Sequence, residues 1–233
     1  MTKPNFARPA PMLGNALWVA ALVTLLSLLP ATQAQAARVT AFSGLVQILR
    51  GDRLLPAVVG SRLRVGDEFV SEGDSEALVR FDDGAHMALR ADSRLQVTAL
   101  KLKGPALARQ KTIKILKGGL RYISGQSTLK SKVAFETSTA TIGIRGTDIE
   151  IAVSEDAVNN DPAGTYLKVN TGIATMEASD GTQVEVDAGQ IAFGGLPEVV
   201  PRGPGGTRRP AARKVEVAAG GLFKTGALDR LMK

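Results

Sequence analysis

The sequence predicts an all-β fold of short, stacked strands. Three observations carry that expectation. Apolar and polar residues alternate with period two, most clearly where Ile149, Ile151 and Val153 interleave with Asp148, Glu150 and Ala152. Asp-Gly pairs stand at two tips, Asp83-Gly84 and Asp180-Gly181, a strong short-range hairpin signal. Glycine is abundant, at 25 residues, while aromatics make up only 4%, which suits many tight turns better than a large aromatic core. A weak repeat, with segments beginning on Gly44, Gly119 and Gly172, fits stacked rungs of a solenoid. The repeat spacing is irregular, so a small β-sandwich or barrel is the alternative.

Taken in order, residues 1–36 read as an export signal. Lys3 and Arg8 give a positive start, Ala16–Leu29 is an uncharged apolar run, and Ala34-Gln35-Ala36 offers small residues for cleavage before Ala37. The run is 14 residues long, short of the roughly 20 that a spanning helix needs. An uncleaved inner-membrane anchor is the alternative. Cleavage removes two basic residues and no acidic ones, so the net charge falls from +7 to +5. With no cysteine, no lipid attachment of the bacterial lipoprotein kind is expected.

Residues 37–196 hold the β-patterned domain. Val39–Leu49 leads to a turn at Arg50–Arg53, and Leu54–Val59 and Asp67–Val70 follow. Ala77, Val79 and Phe81 alternate into the Asp82-Asp83-Gly84 tip, where a type I′ turn would need positive φ at both central residues. Leu95 and Val97 continue the apolar face. The run Lys101–Lys132 holds nine Lys or Arg and no acidic residue; within it Ile113 and Ile115 share one face, and a strand restarts after Gly118-Gly119. Two segments, Val133–Ile144 and Asp148–Val153, meet at Arg145-Gly146-Thr147. A polar loop, a further strand pair and the hairpin at Asp180-Gly181 close the domain. Residues 197–233 read as a Pro/Gly/Arg-rich linker and flexible tail, with Leu222, Phe223, Leu228 and Leu231 able to form one short amphipathic turn.

The composition is poor in catalytic chemistry. One histidine, His86, and no cysteine are present, and no nucleophile motif precedes His86. Asp82 and Asp83 are explained by turn formation. Zinc lacks its usual ligands, and the oxygens of Asp156, Asn159, Asn160 and Asp161 match no EF-hand spacing. We expect no cofactor and no metal. The basic run is the stronger candidate: Lys111, Lys114, Lys117 and Arg121 read as a face for peptidoglycan, an anionic glycan or lipid, or an acidic protein. Such lysines also discourage edge-to-edge pairing. Nucleic acid is not an expected partner of an exported chain.

The run Thr137–Ile149, with Thr-x-x-Ala-x-Ile-Gly-Ile-Arg-Gly-Thr-Asp-Ile, resembles the closing signature of FecR-type periplasmic domains. Upstream, Gly60–Asp67 and Phe81-x-Asp83-Gly84 follow the family order, and Ala188-Gly189-Gln190 closes as such domains often do. The resemblance favours the solenoid-like stack. It implies a periplasmic, non-enzymatic sensor or interaction module that works through an envelope protein partner. It also marks Gly143, Arg145, Gly146, Thr147 and Asp148 as structural or interaction residues, with Arg145 expected to be partly buried and paired to Asp148 or another carboxylate. Family regulators carry a cytoplasmic anti-sigma segment ahead of a membrane anchor; here fifteen residues precede the apolar run, and direct control of a sigma factor is not expected. Mass spectrometry of the protein from envelope fractions should find an N terminus at Ala37; an intact Met1 would indicate the anchored form.

Overall fold

The computed structural model describes residues 37–125, 131–157, 161–196, 210–216, 222–223 and 225–232. The export segment, Lys130, Asn159, Asn160 and the whole of the 197–209 linker therefore lie outside the described residues. Regular structure is almost entirely strand: β1 (Ala37–Ser43), β2 (Val46–Arg50), β3 (Arg53–Pro56), β4 (Glu68–Ser71), β5 (Glu76–Phe81), β6 (His86–Leu89), β7 (Arg94–Lys101), β8 (Gln110–Ile123), β9 (Lys132–Glu136), β10 (Ala140–Ser154), β11 (Gly164–Ala178), β12 (Gln183–Asp187), β13 (Ile191–Gly194) and β14 (Ala212–Val215). Among the described residues, two 3₁₀ turns, Ala106–Ala108 and Asp229–Met232, are added. Among the described residues, no helix is long and apolar enough to cross a membrane.

The strands join in one 14-stranded sheet, whose main path runs β14-β13-β11-β10-β9-β8-β7-β4-β2-β3. Strands β1, β5, β6 and β12 branch from it. All pairings are antiparallel except β8 with β9, which is parallel. Every strand but β3 and β14 contributes to one apolar cluster that includes Phe69, Phe81, Leu89, Ile113, Leu120, Phe135, Ile149 and Met176. The sheet therefore curls around a common core. This is the all-β stack of strands that the alternation predicts.

Several local expectations change. The Val39–Leu49 segment is two strands, because Gly44 takes φ +76° and sits so close to Ser75 that a Cβ would collide with its side chain. The β5–β6 tip is not type I′: only Gly84 has positive φ, and the Asp83 carboxylate accepts the Ala85 N–H at 3.1 Å. The two segments expected to meet at Arg145–Thr147 are instead β9 and a single β10 of 15 residues, with the chain reversal earlier, at Thr137–Thr139. There the Thr137 and Thr139 hydroxyls both meet the Thr165 hydroxyl at 2.7 Å. Residues 197–233 are not all tail: β14 pairs with β13 from Ala212 to Val215, and Asp229–Met232 forms a docked turn.

One buried charge pair holds the interior beneath β5, β6 and β8. Lys111 points inward from β8 with its alternating neighbours Ile113 and Ile115, and is only 1% exposed. Its ammonium donates to Asp83 at 3.0 and 3.3 Å and to the Tyr122 hydroxyl at 2.8 Å, and lies 3.8 Å from the centroid of the Phe81 ring. Burial lowers its pKa to about 8, with Asp83 opposing the shift. Burial, and then the Asp83 charge, push the Tyr122 hydroxyl well above its usual value. Removing one partner of such a pair strands a charge in the interior. Lys111→Met should therefore lower stability by about 3–5 kcal/mol in chemical denaturation, and adding Asp83→Asn should recover much of that loss.

Candidate functional site

The segment Gly143–Asp148 lies where β10 changes partners. Its first part, Thr141–Ile144, pairs with β9, while Asp148–Val153 pairs with β8; β11 flanks both parts. The inward-facing residues also change parity along β10. Ile142 and Ile144 face the core before the segment, and Ile149 and Ile151 after it. A strand with period two cannot do this without an extra residue. The register breaks between Arg145 and Asp148 supply it, and Gly146 takes φ +63°, the signature of a glycine-dependent β-bulge.

The neighbouring strand answers this shift. On β11, Leu167 and Val169 face inward before Gly172, and Ala174 and Met176 after it. Gly172 has φ +84°, and a Cβ there would lie 2.5 Å from the Gly146 carbonyl oxygen and 2.8 Å from the Thr147 Cγ2. A second register break places Asn170 as the extra residue on β11. Thr147 is buried beneath the bulge; its N–H donates to the Ser124 Oγ at 3.1 Å and its carbonyl accepts the Ser124 N–H at 2.9 Å. The Thr147 hydroxyl has no hydrogen-bond partner among the described residues.

The two charged residues of the segment part company. Asp148 is held by Arg121, with paired hydrogen bonds of 3.0 and 2.7 Å, in the two-pronged geometry guanidinium favours. The Asn170 amide adds a bond to Asp148 at 3.3 Å and another to Glu150 at 3.1 Å. Arg145 is exposed, and among the described residues no hydrogen bond or ion pair reaches its side chain. The expected Arg145–Asp148 pair is thus not formed, because Arg121 has taken the carboxylate.

Around Arg145, the outer face of β9–β12 forms a shallow groove lined by Lys132, Ala134, Gly143, Arg145, Ile173, Thr175, Glu177 and Glu185. Gly143 contributes no side chain, and a Cβ there would meet nothing within 4 Å. Across the sheet, Ala134, Gly143, Thr175 and Glu185 lie in register, making a strip between cationic Arg145 and Lys132 on one side and anionic Glu177 on the other. Ile173 is 48% exposed.

The predicted basic face does not assemble. Lys111 is interior, because it alternates with Ile113 and Ile115 on the core side of β8. Lys117 pairs with Asp92 at 2.7 Å, and Arg121 with Asp148. Lys114 is half-buried and lies in register with Gln96 and Glu136. A run of cations in sequence has become four separately housed charges. His86 stands opposite Arg80 on the hairpin; burial first, and then the Arg80 charge, lower its pKa. Asp83 belongs to the Lys111 pair, so no carboxylate dyad forms with Asp82. Among the described residues, no group of three His, Cys, Asp or Glu side chains is placed to hold a metal.

Residues 67–175 match the family model described as FecR protein. This segment is similar to FecR proteins. The match runs from Asp67, whose carboxylate binds Arg50 at 2.7 Å, through the bulge to Thr175 on the groove. No curated protein matches the chain. Among solved structures, two crystal structures of a proposed anti-sigma factor from Parabacteroides distasonis are similar to this chain at 12% identity and a TM-score of 0.44. The alignment covers 55% of this chain and 54% of that one, about half the length of each.

Sequence reading identified the FecR segment but not its mechanics. The change in parity between Ile142/Ile144 and Ile149/Ile151 was the available signal for the bulge. Gly146→Val should lower stability by about 1–3 kcal/mol, as expected for a branched residue forced into the left-handed region. Gly172→Ala should cost a comparable amount through its clash with the Gly146 carbonyl. Equal melting temperatures for wild type and both variants would refute this account of the bulge.

Proposed function

We propose that this chain is an exported, non-enzymatic FecR module that senses or signals in the cell envelope by binding a protein partner. The signal-like residues 1–36 support a periplasmic setting, and similarity to a regulatory family supports signalling. The observation that carries the reading is the groove around Arg145. An unpaired, exposed arginine beside a half-exposed isoleucine, with opposite charge at the far side, has the chemistry of a protein-binding patch. Arginine is a frequent energetic anchor of such patches.

The alternative, a structural protein gripping peptidoglycan or another anionic polymer, drew on Lys111, Lys114, Lys117 and Arg121. With Lys111 interior and Lys117 and Arg121 already paired to carboxylates, that reading has lost most of its charge.

The test is crosslinking in intact cells followed by mass spectrometry, comparing wild type with Arg145→Glu. Wild type should give one dominant protein adduct, and the variant should lose it. Loss of one anchor residue weakens binding by about 2 kcal/mol or more, whereas a substitution at an exposed position shifts stability by only about 0.5 kcal/mol. Melting should therefore stay nearly constant. Identical protein adducts in both, or muropeptide adducts alone, would overturn the proposal.

A further inference from the structure

A second face of the domain is already occupied by the chain itself. On β5 and β6, Ala77, Val79, Met87 and Leu89 belong to the main core, whereas Leu78 and Ala88 belong to a separate apolar cluster. These two residues, with half-buried Ala41 and Ile123, are covered by Leu228 and Met232 of the C-terminal turn. Two arginines flank the apolar patch. Arg90 grips the Asp229 carboxylate at 2.8 and 3.0 Å, and Arg121 approaches it at 3.7 Å. The turn's backbone is held as well: Asp229 accepts the Gly226 N–H at 3.1 Å, and Glu76 accepts the Leu228 N–H at 3.2 Å.

The fit is specific to the segment. Gly226 is buried against Arg90 and Glu76, and a Cβ there would collide with both side chains. Further along the same face, Lys168 lies 5.8 Å from the Phe223 ring centroid. The domain side of this contact has its own counter-charges, since Arg90 also reaches Glu150 at 3.5 Å, Lys168 binds Glu150 at 3.0 Å and Arg121 binds Asp148 at 2.7 Å. Arg90 and Arg121 are therefore held in place by groups other than Asp229, so the receiving surface is pre-organised for a carboxylate.

We infer that this face is a docking site for a peptide segment presenting a carboxylate between aliphatic side chains, the chemistry of Leu228-Asp229-Arg230-Leu231-Met232. The chain's own C-terminal segment holds the site until a matching segment of a partner protein displaces it. This site lies apart from the Arg145 groove and does not depend on it. Arg121 lies near both Asp229 and Asp148, so the occupied site adjoins the end of the β10 bulge.

The test uses the full chain and a fluorescent peptide of its residues 225–233, read by anisotropy. The tethered segment competes at an effective concentration on the millimolar scale, so wild type should bind the free peptide weakly. The Asp229→Ala/Met232→Ala variant should bind it about tenfold more tightly or better, because loss of one charge-assisted pair opens the site by that factor. Adding Arg90→Ala to this variant should abolish the gain, as should replacing the peptide's aspartate by arginine. Asp229→Ala alone provides the same readout if the double substitution lowers melting. Equal weak binding by wild type and both opened variants, all folded by circular dichroism, would overturn the inference. So would tight binding that survives Arg90→Ala.

Discussion

The constraint on which this domain depends is the period of two along an extended chain. A strand can bury only alternate residues, yet β8, β10 and β11 are each long enough to serve two sets of partners. Each must keep its apolar side chains on one core while doing so. Glycines in the left-handed region solve the problem. Gly118, at φ +74°, precedes the change from Ile113 and Ile115 to Leu120 and Tyr122; Gly146 and Gly172 do the same for β10 and β11. The segment around Arg145 is, mechanically, a phase-shifting device.

That requirement also sorts the charges. Residues after a bulge change face, so Lys111 goes inward while Arg121, ten residues along the same strand, goes outward. Once inside, Lys111 needs Asp83 and Tyr122, which ties the β5–β6 tip to β8. Once outside, Arg121 meets Asp148 from β10. Charge density along a sequence is thus a poor guide to a surface when the strand carrying it crosses a bulge.

The fold class was legible because alternation, Asp-Gly tips and glycine content all report on local geometry. The hairpins at Asp83-Gly84 and Asp180-Gly181 were found for that reason. The unbroken passage of β10 through Arg145–Thr147 was not, since two glycines in an apolar run look the same whether they end a strand or kink it. Arg145 was expected to be paired with Asp148, but pairing depends on which cation reaches the carboxylate first in space, and Arg121 is 27 residues away in sequence. The docked end of the chain escaped for a similar reason. Leu228 and Met232 show their purpose only beside Leu78 and Ala88, which themselves read as ordinary members of a hairpin.

The contact between Arg90 and Asp229 spans 139 residues of sequence, far beyond the strand-to-strand separations within the sheet core. Closing so long a loop is entropically costly and gains little until the surface beneath it exists. The C-terminal turn is therefore expected to settle late as the molecule folds. By the same reasoning it should open and reclose more readily than the sheet core beneath it.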